Sequence, residues 1–568
     1  MICVTAIEDR PTTGSSDEGE LLAGRGLPLG ALVRRFPPEN RTLLHVLRSQ
    51  ANAQPDKAWI IVDGTDRITF GQAYARSLRF ADALANAGLT RAHVALFLRN
   101  HVRFMEVFYG SMLQRGVAVP LNPELRGSLL EATIVKSDAR VIVVGSATIE
   151  RLQQLEGLGK VELVLAADPT EIDEIASVPV VDFETWVTQQ ASAGNSDVAA
   201  ADLPAPEDTA AILFTSGTTG GSKGVVCSHK YLYLFSGCFA DSTGLTPDDV
   251  VTTPLQLCHV AALGAISNAA LHVGSTAHLK SRFSASAFWE QVAADGATFC
   301  MLIGQMAEMI LKSTDNVPEH SLSHLYLIPR PPHYREFEER FGTELIWQGS
   351  GLTEAFPHPP RKERIEDVPG TTVGHPLAWY DYGVVDENDR LLPPYVEGEL
   401  VYRSRIPFGM FSGYYKDPQA TAHAMRNAMF HTGDLAFYDD AGHINYLRRM
   451  ADTIRRSGEN VSCTELEDVA LLHEDILEAA AYGVPDQYLG EDIKVDIVAR
   501  VPLDLHAVHA WMAVHLPRYM VPGFLEQREG LPKTPSEKVM KHVLKEGGVD
   551  RPGVVRFANE RLRGSQSD

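Results

Sequence analysis

The sequence predicts an α/β protein. Its large N-terminal region is built of two α/β subdomains, a small sheet or β-barrel follows, and a small α+β domain closes the chain. Three observations carry this. At 568 residues the chain exceeds the roughly 250–300 at which one hydrophobic core stops growing. Between Arg41 and Pro120 helical and strand periods alternate, the pattern of a parallel sheet covered on both faces. Beyond Gly374 the segments shorten and helices thin out, as in a small antiparallel unit.

Residues 1–40, rich in Gly, Pro, Ser and charge, read as a flexible arm. Thr69 to Gln72 has capping-box spacing, Phe70, Leu78, Ala81 and Leu84 keep helical period, and Gly88 stops the helix. Val94 to Leu98 reads as a buried strand, Arg103 to Arg115 as a helix and Val117 to Pro120 as the next strand. A second α/β region spans Asp202 to Pro360, and strands follow at Tyr382–Val385, Gly398–Tyr402 and His443–Tyr446. At Arg448 to Asp452 the chain is ready to change domain. Residues 41–449 thus form a large domain, and 450–568 a compact C-terminal one of ordinary domain size.

Composition excludes several classes. Hydrophobic content of 45% and charged content of 22% are those of a soluble globular protein. The longest apolar run, Leu257 to Val273, is broken by His259, Ser267, Asn268 and His272, so no membrane span is expected. The first twenty residues turn acidic at once, unlike a signal peptide. A net charge of -22 argues against nucleic acid or an anionic membrane as partner. Cys3, Cys227, Cys238, Cys258, Cys300 and Cys463 form no C-x-x-C pair, which suits a reduced, cytoplasmic protein.

Phe214 to Gly224, FTSGTTGGSKG, is the most informative stretch. Its small residues let backbone amides close around phosphate oxygens, while hydroxyls and one ammonium add donors. The candidate phosphate contacts are Thr215, Ser216, Gly217, Thr218, Thr219, Gly220 and Lys223. Walker spacing fails, because Ser222 precedes the lysine and Gly224 and the strand-like Val225 to Cys227 follow it, where a P-loop would start a helix. Taken alone, the loop also fits a glycine-rich surface turn. It resembles the TSGTTGxPKG signature of the adenylate-forming superfamily of acyl-CoA synthetases, luciferases and peptide-synthetase adenylation domains, with Ser222 in place of Pro.

Other elements resemble that family in order. Gly349 to Glu354 resembles Y-G-x-T-E, which implies that Gly349, Ser350, Gly351, Leu352 and Thr353 flank the nucleotide while Glu354 holds Mg²⁺, a cation that prefers hard oxygen donors. Read alone, Glu354 equally suits a turn ending at a helix N-terminus. His431 to Leu435 resembles the T-G-D element, which implies that Asp434 accepts both ribose hydroxyls, as an ionised carboxylate can. Tyr446 and Arg449 are the further adenylate contacts implied. Gly398 to Leu400 and Gly413 to Thr421 resemble structural elements of the family and are assigned no chemistry. His259 resembles the histidine beside the carboxylate pocket, and equally reads as a satisfied core residue. The resemblance implies a mobile lid turning about a hinge at Ala451 and Asp452. Ser457 to Glu467 would then line a pantetheine tunnel through Gly458 and Glu459, and Cys463 resembles the crotonobetaine and carnitine CoA ligase subgroup. Leu531 to Lys538 resembles P-K-T-x-S-G-K, whose final lysine, here Lys538, spans carboxylate and α-phosphate. Glu354, Lys538 and His259 are therefore the implied catalytic groups. ATP or acyl-AMP, Mg²⁺ and coenzyme A are the implied cofactors, and a small carboxylic acid the partner.

Three departures cluster on the ATP half-reaction. Ser350 stands where relatives carry an adenine-stacking aromatic, a stack worth about 1–3 kcal/mol if nucleic-acid values transfer. Pro329 to Pro332 replaces a Gly-Ala-Pro segment. Glu537 replaces the glycine before Lys538 and sets an anion beside it, an interaction of about 3 kcal/mol at ~5 Å and an effective dielectric near 20. The expectation is an acyl-CoA ligase with impaired adenylation, thioesterifying an acyl-AMP supplied by a separate adenylating enzyme. The alternatives are a fully competent synthetase, transfer to a carrier protein or amine, or a non-catalytic acyl-AMP binder. Apolar or small wall residues at His259–Gly264, Ile303–Met306 and Trp347 favour a hydrophobic monoacid.

Overall fold

Two large sheets form the body of the molecule. One is eight-stranded, ordered Lys223–Ser228, Thr209–Thr215, Val117–Pro120, His93–Phe97, Ala139–Val144, Leu163–Ala166, Val178–Asp182, Glu174–Ile175. The other is seven-stranded, ordered Glu344–Ile346, His324–Ile328, Phe299–Ile303, Val250–Thr253, Thr276–Leu279, Ala58–Val62, Asp66–Thr69. The computed structural model describes residues 30–191, 203–215, 222–313, 317–328, 330, 333–346, 348–360, 372–450, 453–456, 459–486, 490–516, 520–533 and 539–557.

Local chemistry sets the elements. The capping box is present, with Gln72 N donating to Thr69 Oγ1 and Thr69 N to Gln72 Oε1, both at 3.1 Å, and it starts Phe70–Asn86. The next helix, Val102–Leu113, is buried from Phe104 to its end and packs on strands of both sheets. Its Tyr109 hydroxyl donates to Asn268 Oδ1 at 2.8 Å, which ties it to the second layer.

The sheets do not follow the chain in blocks, contrary to the two sequential regions expected. Ala58–Val62 leaves the first region and pairs in parallel with Thr276–Leu279. Thr209–Thr215 leaves the second and joins Val117–Pro120 through Ala118 and Ala211. Periodicity reports a strand and its buried faces, but long-range pairing lies outside its reach. The last residues of the expected arm are packed as well. Val33 is fully buried, and the N–H groups of Leu32 and Val33 donate to the Asp241 carboxylate.

The region expected to form a small sheet or barrel is a five-stranded antiparallel sheet, ordered Thr372–Gly374, Ile444–Arg449, Phe430–Tyr438, Gly398–Ser404, Tyr380–Val385. The C-terminal unit has its own sheet, centred on Gly490–Ala499, and its own apolar clusters, one of them under Cys463–Leu471 and Leu505–His515. It touches the body where Lys312 Nζ donates to Ile476 O at 2.5 Å and Arg500 to Lys312 O at 2.9 Å. Among the described residues, no helix is long and apolar enough to cross a membrane.

Candidate active site

The phosphate-loop candidate closes an antiparallel hairpin. Thr215 pairs with Lys223, Ser222 Oγ donates to Thr215 O at 3.1 Å, and Lys223–Ser228 is a strand, as the failed Walker match requires. Ser216 to Gly220 lie outside the described residues. Two outside elements hold the base of the hairpin. Lys136 Nζ donates to Ser222 O at 3.0 Å, while Tyr415 N and Val226 N bond Gly224 O and Gly413 O at 2.7 and 3.0 Å. The Gly413 to Thr421 element therefore braces the strand Lys223–Ser228 at the base of the hairpin.

That element also supplies Tyr414, which sequence reasoning passed over. Its hydroxyl donates to Glu354 Oε1 at 2.8 Å, and the Lys223 ammonium lies 5.0 Å from its ring centre. Burial, followed by the charge of Glu354, pushes the phenol far above its ordinary pKa, so it remains a donor. Glu354 is 8% exposed. Among the described residues no cation reaches ion-pair distance of its carboxylate, which leaves one hydroxyl to compensate a buried charge. Such a charge calls for a cation, and Mg²⁺, taking a carboxylate oxygen beside phosphates, fits it.

The strand end leading to Glu354 folds back on itself. Ser350 N donates to His358 O at 2.9 Å, Leu352 N to Ala355 O at 2.8 Å and Phe411 N to Glu354 O at 2.8 Å. Gly349 has φ +135°, and a Cβ there would lie 3.0 Å from Pro360 Cα, so glycine is required. Gly351 is exposed, and Leu352 and Thr353 are half-buried beside it.

The second half of the site lies on the five-stranded sheet. Glu399 pairs with Leu435 and Val401 with His431, so Thr432, Gly433 and Asp434 stand opposite Leu400 alone and bulge outward. Asp434, 7% exposed, meets Arg449 Nε at 3.0 Å across the ladder, and Arg449 also donates to Thr432 O at 2.7 Å. The Arg449 charge reaches Tyr414 as well, where it opposes the upward pull of burial and Glu354. The two halves also meet in space, where Phe411, bonded through its N–H to Glu354 O, packs with its ring centre 5.1 Å from that of Phe430, at the start of the strand that carries Asp434. Tyr446, half-buried, sits two pairs along the same ladder, opposite Ala436.

His259 is half-buried, just before the π-helical turn Ala261–Asn268, and its carbonyl accepts from Leu263 N at 3.0 Å. Glu459 begins the strand Glu459–Ser462. Ala451, Asp452, Gly458, Glu537 and Lys538 lie outside the described residues, as do Trp347, Pro329, Pro331 and Pro332. Met540 N donates to Pro532 O at 2.7 Å, and Lys533 bridges Val539, which joins the chain on either side of residues 534–538.

Residues 47–415 match the AMP-binding enzyme family, and residues 465–538 match the AMP-binding enzyme C-terminal domain. The chain belongs to the AMP-binding enzyme family. A crotonobetaine/carnitine–CoA ligase of Salmonella arizonae is 31% identical over 484 residues, 82% of this chain and 91% of that protein. A medium/long-chain-fatty-acid–CoA ligase of Mycobacterium tuberculosis, FadD17, is 30% identical over 495 residues, 85% of this chain and 91% of its own. The fold is shared with the anthranilate CoA ligase AuaEII in complex with anthranoyl-AMP, at a TM-score of 0.79 and 20% identity over 91% of this chain and 98% of that one. It is shared too with o-succinylbenzoate CoA synthetase from Bacillus subtilis, at a TM-score of 0.73 and 23% identity over 89% and 98%. This AMP-binding enzyme is an adenylate-forming protein of the acyl-CoA ligase type.

Proposed function

We propose that the enzyme joins a hydrophobic monocarboxylic acid to coenzyme A through an acyl-adenylate, with the ATP half-reaction the weaker of the two. The observation that carries the reading is the convergence of Glu354, Tyr414 and Lys223 at the phosphate hairpin with Asp434 and Arg449 on the neighbouring sheet. Coenzyme A as acceptor draws on the names of the relatives.

In the first step a carboxylate oxygen of the acid attacks the α-phosphorus and the bond to pyrophosphate breaks. Two anions must meet, so the work of the protein is positioning and charge compensation. Lys223 and the loop amides face the phosphates, Asp434 accepts the ribose hydroxyls, and Lys538 bridges carboxylate and α-phosphate. Mg²⁺, when bound, neutralises phosphate charge. Glu354 would hold it, and Tyr414 fixes the other side of that carboxylate. In the second step the thiol sulfur attacks the acyl carbon, its proton is lost, and AMP departs. Residues 450–568 act as a lid on the domain 41–449, turning at Ala451 and Asp452 and exchanging Lys538 for Gly458 and Glu459. His259 borders the acid, among apolar wall residues suited to a hydrophobic group.

The weakened first step rests on Ser350 and Glu537. Ser350 offers no ring to adenine, and its backbone is committed to His358. The two half-reactions separate in one experiment. With acid, ATP and Mg²⁺, pyrophosphate release is expected to be slow, whereas synthetic acyl-AMP and coenzyme A give thioester rapidly. Glu537→Gly should raise pyrophosphate release about tenfold, half or less of the full Coulomb estimate, because solvent screens the pair. Brisk pyrophosphate release by the unmodified enzyme would sink the impaired version and leave a complete synthetase. Product with a carrier protein or an amine, but none with coenzyme A, would move the acceptor.

A further inference from the structure

The bulge that carries Asp434 is held by a polar cluster that lies outside the groups assigned to the reaction. Glu399 Oε1 accepts the N–H of Gly433 at 3.0 Å. Its other oxygen takes His431 Nδ1 at 2.9 Å and Arg426 Nη2 at 2.8 Å. Behind it, Arg426 Nε meets both oxygens of Asp389, at 3.1 and 3.2 Å, and Asn427 Nδ2 adds a bond to Asp389 at 2.7 Å. Asp389, Glu399 and His431 bring their ligand atoms within 4.8 Å of one another, a spacing that would suit a cation. Here the guanidinium of Arg426 already bridges the two carboxylates, so the charge a metal would bring is in place.

The consequence is mechanical. Gly433 has φ +72°, and the bulge sets three residues against one, so the ladder to Gly398–Ser404 cannot pair all of their backbone groups. Three of these groups are held another way. Glu399 takes the Gly433 N–H, Arg449 reaches the Thr432 carbonyl, and the Thr432 hydroxyl accepts from Asp434 N at 3.0 Å while donating to Leu400 O at 2.8 Å. Glu399 is itself anchored from behind, through Arg426 to Asp389.

We propose that Glu399, backed by Arg426 and Asp389, is a positioning residue that fixes the aim of Asp434 at the ribose of the nucleotide. The inference rests on the assignment of Asp434 to the ribose hydroxyls. The full-length protein is titrated calorimetrically with AMP and with 2′,3′-dideoxy-AMP, which lacks those hydroxyls. Wild type should prefer AMP. Glu399→Ala should weaken AMP about tenfold, the scale of a hydrogen bond to a charged group, and leave the dideoxy nucleotide within about twofold. Glu399→Gln, whose amide oxygen still accepts from Gly433, should recover most of the loss, a rescue that a merely structural defect would not show. Arg426→Met serves if Glu399→Ala does not fold, with a smaller loss confined in the same way to AMP. Equal loss on both nucleotides, or none on either, overturns the proposal. A wild type blind to the hydroxyls would instead overturn the assignment of Asp434, and the proposal with it.

Discussion

Two central strands, one in each half of the molecule, are buried on both faces and fill those faces in opposite ways. In the large body, His93–Phe97 sends Val94 and Leu96 into one apolar core and Ala95 and Phe97 into the other. In the C-terminal unit, Gly490–Ala499 sends Ile493, Val495 and Ile497 into hydrocarbon, but Lys494 and Asp496, both 0% exposed, into an ionic cluster. Lys494 meets Glu526 at 2.7 Å and Asp496 at 3.2 Å; Arg528 meets Asp496 at 2.6 Å; Arg551 meets Glu526 at 2.6 Å. Full burial therefore does not demand an apolar run. It demands only that each face be compensated, by dispersion in one case and by paired charge in the other.

The ionic face is most vulnerable at Glu526. The cluster holds three cations, Lys494, Arg528 and Arg551, against two carboxylates, and Glu526 contacts all three cations. Glu526→Gln leaves them facing Asp496 alone and should cost about 3–5 kcal/mol, the penalty for breaking a buried pair from one side. Lys494→Met should cost less, because two guanidinium groups still match two carboxylates. Amide hydrogen exchange in Ile476–Asp486 and Gly490–Ala499 reads the effect directly, with exchange in His93–Phe97 unchanged. Equal losses for the two variants would refute the charge count.

The body also buries titratable groups, and holds some of them uncharged, His229 and His272 among them. His229 is 1% exposed, and burial lowers its pKa from 6.5 to about 4, with a smaller opposing pull from Asp208. The unfolded chain therefore takes up the proton first as the solution is acidified. The contribution of His229 to stability is complete above pH 6.5 and is lost as pH falls towards 4. The stability difference between wild type and His229→Gln should accordingly change by about 1.4 kcal/mol per pH unit across that window. Denaturant titrations at half-unit steps test this, and the constant offset from altered packing drops out of the slope. A flat difference would mean that the imidazole is not held neutral.

What could be read from the sequence divides along the same line between local and distant chemistry. Thr69 and Gln72 lie three residues apart, so their reciprocal bonds were legible, as was the strand that follows Lys223. Asp434 and Arg449 were legible as a motif, and the ladder does set them side by side. The hold of Glu399 on Gly433 spans 34 residues and depends on a bulge, which a two-residue period cannot signal. Tyr414 was hidden for the same reason, its partner Glu354 lying 60 residues away. The alternation of Ile493, Lys494, Val495, Asp496 and Ile497 looks like a strand with one wet face. The ions are covered instead by the apolar cluster of Tyr482, Phe524, Leu531 and Leu544, assembled from three further stretches of chain.

The smallest effect isolates environment from geometry. Arg140, on Ala139–Val144, and Glu162, just before the adjacent strand Leu163–Ala166, pair through Nε and Oε1 at 2.7 Å, the separation of Lys494 and Glu526, but their side chains are 36% and 55% exposed against 0% and 10%. Burial aside, the surface pair is the better formed, since a second bond from Arg140 Nη2 to Glu162 Oε2 at 2.8 Å makes it bidentate. A double-mutant cycle on Arg140 and Glu162 should nonetheless return only about 0.2–1 kcal/mol. That coupling should shrink further in 1 M salt, where the screening length falls to about 3 Å. The same cycle on Lys494 and Glu526 should keep its value in salt, because no counter-ion reaches the pair. If both couplings fell together, the buried cluster would have to be wet, and the contrast between the two strands would reduce to one of sequence alone.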